Sequence, residues 1–376
     1  MRSNLKKITL KGFKTIQALE DFEPGRLTAL IGPNSVGKSN FISFFHMMSW
    51  ALAAPGNLEL FVSQQGGAST LLHDGPARTR EIETEITLQT DAGENQYAFR
   101  LVFAAGDTLI FADERYRFSR SQYPTIAKWT ETRAGYHDPQ LPILAAEDTT
   151  ARVIRDILRK IVVYQFHNTS DTARIRSKWP MHDNRWLKED AANIAPVLLR
   201  LRENDGKCYQ RIVDTIRLIV PFFSDFELEP QYDSLLLGWR ERNSDQVFSV
   251  SQASDGMLRV MALVTLLLQP EQDLPDVLIL DEPELGLHPY AINIVGGLIR
   301  AVSTRIQVIL ATQSMPLVDC FEPEDIVVVE RDGRSSTFKR LDSESLGGWL
   351  ENYSISELWE KNVLGGLLPK FLSMRE

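Results

Sequence analysis

Cysteine is scarce in this sequence: Cys208 and Cys320 are the only two among 376 residues. They stand far apart and outside any metal-ligand spacing. That argues against a disulfide framework and a thiolate metal site, and reads as two buried thiols in a reducing compartment. The six histidines form no H-x-x-x-H pair. Long apolar runs are missing too. The longest lies around Val260 to Leu268, too short to cross a bilayer. Met1-Arg-Ser-Asn-Leu-Lys-Lys lacks the apolar stretch of a signal peptide, so a cytoplasmic protein with no membrane association is expected. There is no basic excess. A net charge of −9 argues against a surface that coats nucleic acid all over, though not against a local basic groove. No internal repeat, low-complexity tract or heptad array long enough for a coiled-coil arm is visible. What is present is ordinary globular composition, 43% hydrophobic and 24% charged, with enough apolar mass for a sizeable core.

The pattern along the chain is α/β. Lys6–Thr15 alternates as a strand. Leu27–Ile31 is a short apolar run of the buried-strand type, followed by Gly32-Pro33-Asn34-Ser35 and a helical pattern from Lys38 to about Leu52. Glu81–Gln89, Tyr97–Phe103 and Thr108–Phe118 alternate as antiparallel strands. Residues 121–235 carry few strand signals apart from Ile161–Phe166. They read as a mainly helical insertion, with helices over Thr150–Lys160, Ile194–Glu203 and Tyr209–Val220. Strand Gln246–Val250, helix Gly256–Leu268, strand Val277–Leu280, helix Ala291–Ser303 and strands Gln307–Ala311 and Asp325–Glu330 then alternate, as a parallel sheet requires. After Leu341 two short helices are expected.

Three segments carry chemistry. Gly32-Pro33-Asn34-Ser35-Val36-Gly37-Lys38-Ser39 fits G-x-x-x-x-G-K-[ST] and stands between a buried strand and a helix, where a phosphate-binding loop must stand. Its glycines let backbone N–H groups wrap a phosphate at a helix N-terminus. Lys38 reaches the β- and γ-phosphates, and the Ser39 hydroxyl binds Mg²⁺. Second, Val277–Leu280 runs into Asp281 and Glu282. A strand-end Asp281 holds the Mg²⁺ shell, and Glu282 polarises the attacking water. Third, Ser254-Asp255-Gly256-Met-Leu-Arg259 opens a helix shortly before Asp281, a second phosphate-binding device. One nucleotide is not easily held by two helix N-termini of one chain at this separation, so the economical arrangement puts the second on a partner chain.

Together with Asp281-Glu-Pro-Glu-Leu-Gly-Leu-His-Pro289, these segments resemble the ABC-type ATPases of the SMC, RecF and OLD groups, in particular stand-alone bacterial AAA-family ATPases of OLD-like or RecF-like type. The resemblance covers roughly residues 1–110 and 236–345. It implies an ABC-ATPase-like P-loop fold in four parts: an N-terminal lobe with the antiparallel β subdomain (1–120), the helical insertion (121–235), a C-terminal lobe (236–345) and closing helices (346–376). It implies a homodimer around two ATP, with Glu282 as catalytic base. Ser254, Asp255, Gly256 and Arg259 would be the signature acting in trans, and Gly286, Leu287 and His288 would lie in the D-loop. Where many relatives have a switch histidine, this chain has Gln313. An amide hydrogen-bonds a phosphate or water but takes no proton, so slow hydrolysis is expected. Gln64 or Gln65 is the candidate Q-loop ligand of the Mg²⁺. Lys14 matches a basic residue that approaches the nucleotide in relatives, and reads equally as a strand-edge lysine. Asp190 and Asn193 match an OLD-type segment or are helix-cap residues. The stretch Arg174–Lys188 interleaves cations and tryptophans, as either a phosphate-backbone grip or a solvated face.

OLD-type chains carry a Toprim nuclease after the ATPase. No acidic nuclease cluster follows Leu341, so an effector would be a separately encoded protein, and anti-phage defence is the role the resemblance suggests. RecF-like DNA repair, with DNA or RNA as partner, is the alternative. A transporter subunit is disfavoured because its signature would read closer to L-S-G-G-Q than Ala253-Ser-Asp-Gly-Met. A small-molecule kinase would not need the Ser254–Arg259 segment.

Overall fold

The computed structural model describes residues 2–121 and 127–365. They divide into two compact units, Met1–Val162 with Glu322–Glu376, and Val163–Phe321.

In the first unit an antiparallel sheet runs in the order Ile16–Phe22, Asn4–Phe13, Glu81–Thr90, Gly93–Ala104, Thr108–Arg120, Thr130–Glu131. The alternation read in the sequence sets which side chains face inward: Leu5, Ile8, Leu10, Ile82, Ile86 and Leu88 are fully buried. The helix Lys38–Ala53 packs its phenylalanines on this apolar face, with Phe44 edge-on to Phe13 at 5.8 Å and stacked on Phe99 at 6.4 Å. One carboxylate lies inside. Glu114 accepts from the Tyr97 hydroxyl (2.8 Å), Gln140 N (2.7 Å) and Leu141 N (3.0 Å), so this mid-strand carboxylate pins the loop that crosses it. Burial pushes the Glu114 carboxyl upward while these donors hold it back. Strand Leu27–Ile31 pairs parallel with Ile326–Asp332, which turns back antiparallel into Ser335–Arg340. Two short helices follow, Ser343–Leu346 and Ile355–Glu360. The part of the expected closing helices beyond residue 365 lies outside the described residues.

In the second unit Val277–Asp281 and Gln307–Thr312 pair in parallel, connected by the crossover helix Pro289–Ser303. Helix Asp255–Leu268 is apolar nearly all round and is correspondingly buried. Helices Ile194–Asn204 and Gly206–Ile219 match expectation. Apart from Ile161–Tyr164 the described strands between 121 and 235 are few and short; the longest, Phe223–Glu227, pairs with Gly238–Glu241, and that with Val247–Ser249, inside the strand expected over Gln246–Val250. Phe223–Glu227 and Gly238–Glu241 are short and carry Ser, Asp and Gly, so their periodicity is too brief to read alone. Among the described residues no helix is long and apolar enough to cross a membrane.

Candidate functional site

In the first unit the fully buried strand Leu27–Ile31 delivers the chain into Gly32–Ser39. Gly32, Ser35 and Gly37 bend the loop with φ of 150°, 68° and 117°. Gly37 is the cap of helix Lys38–Ala53, and no side chain caps that end, which suits an anion at the positive helix terminus. The surroundings leave Gly37 no substitute: a Cβ there would stand 2.1 Å from Ser336 Oγ and 2.6 Å from Thr15 Oγ1. Lys38 is only 3% exposed, its ammonium folded onto the loop's own Gly32 O (2.5 Å) and Pro33 O (2.8 Å). Asn34, Ser35 and Ser39 are exposed, Pro33 is half-buried and Val36 buried. Lys14 Nζ donates to Ser43 Oγ (2.9 Å) and Gln65 Oε1 (3.1 Å). Of the two glutamine candidates it is therefore Gln65 that meets Lys14, while Gln64 is exposed at its helix end. Burial lowers the Lys14 pKa. An open cavity of about 370 Å³ lies here, lined by Lys14, Thr15, Leu72, Asp74, Arg331 and Arg334. Arg331 donates to Ser35 O at 3.2 Å, tying the cavity wall to the loop.

In the second unit Asp281 closes the buried strand at 7% exposure, and its Oδ2 accepts from Gln165 Nε2 at 3.1 Å. Glu282 follows in the left-handed region at φ 42°, rare outside glycine. Its N–H donates to Ala311 O (2.9 Å) and its Oε1 accepts from Gln313 Nε2 (3.1 Å). The residue read at the switch position thus meets the residue read as the base, and its amide orients that carboxylate. Glu284, which the sequence reading passed over, is buried. Its Oε1 accepts from Thr312 Oγ1 (2.5 Å) and Gln313 N (3.3 Å), and its Oε2 has no hydrogen-bond partner. Burial raises its pKa.

Ser254 caps helix Asp255–Leu268, its Oγ accepting from Met257 N at 3.3 Å. Ser254 and Asp255 are exposed and Gly256 is half-buried. One turn on, Arg259 is engaged inside its own chain: it donates to Phe166 O (3.1 Å), His167 O (3.0 Å), Thr169 Oγ1 (3.3 Å) and Leu285 O (3.1 Å). Gly286, at φ 74°, is what admits it, since a Cβ there would stand 2.4 Å from Arg259 Nη1. His288 caps helix Pro289–Ser303 through Tyr290 N at 3.3 Å. A groove of about 270 Å³ puts Ser254 and Gly256 on one open face with Gly286, Leu287 and His288.

Most of the interleaved basic stretch is engaged within the fold. Arg176 donates to Val250 O (2.6 Å) and Ala253 O (3.2 Å), Arg174 pairs with Asp190 (3.0 Å), and Lys188 pairs with Asp183 (3.0 Å). Asn193 stands at a helix start but makes no side-chain cap. It bonds Asp183 O (2.9 Å), Trp186 O (2.7 Å) and Lys188 N (2.9 Å), so it organises the preceding loop instead. Gln165 and His167, both beside Asp281, were not singled out in the sequence. The only local signal was their place just after the apolar run Ile161–Tyr164.

No curated protein is significantly similar in sequence. In structure the chain is similar to the Smc head bound to the C-terminal winged-helix domain of ScpA (TM-score 0.60, 17% identity, covering 91% of this chain and 98% of that one). It is also similar to the Smc head domain with an extended coiled coil bound to the C-terminal domain of ScpA from Pyrococcus furiosus (TM-score 0.59, 16% identity, 93% and 99%). At these identities the likeness shows the fold, the ABC-type head of SMC proteins. Residues 27–319, from the strand before the loop to just past Gln313, match the family described as "AAA domain, putative AbiEii toxin, Type IV TA system". The chain belongs to that AAA-domain family, and its fold is that of the ABC-type Smc heads.

Proposed function

We propose that this protein binds ATP and Mg²⁺ in the cytoplasm, hydrolyses the ATP slowly, and works as a switch in which two copies close around two nucleotides. The observation that carries the reading is the Asp281–Glu282–Gln313 arrangement: a buried acceptor at a strand end, a carboxylate turned out beside it, and an amide holding that carboxylate. A carboxylate so placed polarises the attacking water, and Gln313 orients it without accepting a proton, which accounts for slow turnover. Gly32–Ser39 would hold the phosphates, Lys38 leaving its loop carbonyls for the β- and γ-oxygens, with Lys14 beside them. Ser39, Asp281 and Gln65 would hold Mg²⁺, which when bound neutralises charge on the β- and γ-phosphates. Mg²⁺ beside a nucleotide keeps few protein ligands, so the absence of a cluster of three or more acidic, His or Cys residues among the described residues is compatible with it. We read 1–120 and 236–345 as the two ATPase lobes, 121–235 as an arm and 346–376 as closing helices.

The open face that carries Ser254, Gly256 and the Gly286–His288 turn supports their meeting the partner's nucleotide, with Asp255 between them. Arg259 would hold that face together from behind. Loss of the γ-phosphate would remove those contacts and loosen the dimer. The family description, which names a putative toxin and a Type IV TA system, supports a role as one member of a toxin–antitoxin pair; the likeness of the motifs to OLD-type ATPases is what favours anti-phage defence with a separately encoded nuclease or toxin. The likeness to Smc heads supports a second reading, a RecF- or SMC-like ATPase acting on DNA or RNA.

The test is the solution mass of Glu282→Gln by light scattering, with and without ATP·Mg²⁺. A shift from monomer to dimer on adding ATP is expected. A mass that stays monomeric while ATP binds tightly refutes the two-copy arrangement. ATP turnover by the parent that rises on adding duplex DNA would favour the second reading.

A further inference from the structure

We infer that His73 is a positioning residue for Lys14: its ring fixes the backbone from which that lysine extends, on a seat formed by the segment Gln65–His73. The inference deepens the proposed function, since it rests on the reading that Lys14 stands beside the bound phosphates.

Lys14 and Thr15 form the turn between the strands Asn4–Phe13 and Ile16–Phe22. Lys14 is left-handed there, at φ 51°. A residue with a side chain rarely adopts that conformation, and it persists only where the surroundings over-determine it. Here both polar groups of the Lys14 backbone are held from one segment. Its N–H donates to Leu71 O (2.7 Å), and its carbonyl lies 2.9 Å from His73 Nδ1. A carbonyl only accepts, so Nδ1 carries the proton. The ring is itself buried, and His73 N donates to Gly12 O at 2.9 Å, which anchors the histidine to the same turn.

The ammonium ends on the same segment. Lys14 Nζ donates to Gln65 Oε1 (3.1 Å) and to Ser43 Oγ (2.9 Å), a residue of the helix that the phosphate loop opens. The segment is anchored in turn from the far side of the sheet. Asp107, in the turn between Gly93–Ala104 and Thr108–Arg120, accepts from Ser69 N (2.7 Å) and Ser69 Oγ (3.0 Å), and its carbonyl accepts from Ala68 N (2.9 Å). Those N–H groups open the helical turn Ala68–Leu71, whose own cap residue Gly67 supplies no side chain. A Cβ on Gly67 would run into the Asp107 carboxylate. On the other flank Thr15 O accepts from Ser336 N (2.8 Å), and the Ser336 hydroxyl reaches Val36 O (2.6 Å) in the phosphate loop. A lysine stem is long and flexible, so its ammonium is placed only as well as its backbone is. Of the two bonds that place this backbone, the one to Leu71 is main chain to main chain, and the other depends on the side chain of His73.

A plainer role is that His73 only satisfies a buried carbonyl and steadies the turn. Titration of the full-length protein with a fluorescent ATP analogue and Mg²⁺ separates the two. Lys14→Met is expected to raise Kd about tenfold, one hydrogen bond to a charged group, and His73→Ala about fivefold, one neutral hydrogen bond. The double variant should bind no worse than Lys14→Met alone, because without the ammonium the seat has nothing to position. Penalties that multiply overturn the positioning role, as does an unchanged Kd in His73→Ala. Where His73→Ala fails to fold, His73→Phe, which fills the space without a donor, takes its place in the cycle. His73→Asn keeps an N–H donor and should recover most of the lost affinity; a Kd equal to that of His73→Ala overturns the assigned hydrogen bond. If the parent binds no nucleotide, the proposed function fails and hydrogen exchange still decides the seat. Faster exchange over residues 13–16 in His73→Ala, with strand Glu81–Thr90 unchanged, supports it, and unaltered exchange over 13–16 overturns it.

Discussion

Gly37→Ala tests the shape of the phosphate loop most directly, because its cost is worked from contacts around one missing atom. The added Cβ meets Ser336 Oγ at 2.1 Å and Thr15 Oγ1 at 2.6 Å, and the backbone stays at φ 117°, where side chains carry strain. Strain of that kind costs about 1–3 kcal/mol. Ser336 must also yield. Its hydroxyl is 2.6 Å from Val36 O and shares a 2.7 Å hydrogen bond with the Thr15 hydroxyl, which in turn accepts from Asn40 Nδ2 at 2.7 Å. Displacing it forfeits two buried hydrogen bonds at about 1 kcal/mol each. The expected destabilisation is therefore about 3–5 kcal/mol, large against a typical total of about 5–15 kcal/mol but short of abolishing the fold. Urea denaturation followed by tryptophan fluorescence reads it, using the transition of the unit that holds the loop, since two units need not melt together. The double variant Gly37→Ala/Ser336→Ala sharpens the test. Ser336→Ala alone costs about 2 kcal/mol, but it removes the oxygen the Cβ would strike. The pair should be less destabilised than the sum of the singles by about 2 kcal/mol. Strict additivity, or a Gly37→Ala cost below about 1 kcal/mol, would refute the geometry assigned to Gly37.

Other substitutions probe the remaining assignments. Gln313→Ala removes the amide that holds Glu282, so kcat should fall about 10–100-fold, one hydrogen bond to a charged group, with KM for ATP little changed; an unchanged kcat would remove Gln313 from the site. Gln65→Ala should weaken nucleotide binding by freeing Lys14 while Gln64→Ala leaves it intact, and equal effects in a fluorescent-nucleotide titration would undo that distinction. Burial raises the Glu284 pKa in the folded state, so the folded protein binds that proton more tightly than the unfolded chain. Its contribution is accordingly present below the ordinary glutamate value and lost as pH rises through the folded one. Glu284→Gln should therefore gain in Tm relative to the parent as pH is raised through that window, and a Tm difference independent of pH would contradict it.

The parts of this protein that were legible in its sequence are those whose signal is local. The loop between Leu27–Ile31 and Lys38–Ala53, the strand running into Asp281 and the helix opened by Ser254 each declare themselves within about a dozen residues, because a buried strand, a glycine turn and an apolar helix have short periods. What was not legible is held by directional bonds between distant residues. Gln165 and Asp281 are 116 residues apart, and Arg176 and Val250 are 74 apart. Nothing in the composition of either segment specifies the partner. Arg259 shows the consequence. Read locally, a cation one turn into a helix whose start suits phosphate belongs to the phosphate. In the fold its guanidinium is spent on Phe166 O, His167 O and Leu285 O. That is the sounder use of an arginine here: irregular segments on both sides present carbonyls that need donors, and a planar fork reaches several at once where a lysine would reach fewer. Because the same guanidinium meets the turn after Glu284 and the segment that carries Gln165, the exposed serine and half-buried glycine ahead of it are backed by the residues around Asp281. Their orientation and that of the strand-end carboxylate are therefore set together.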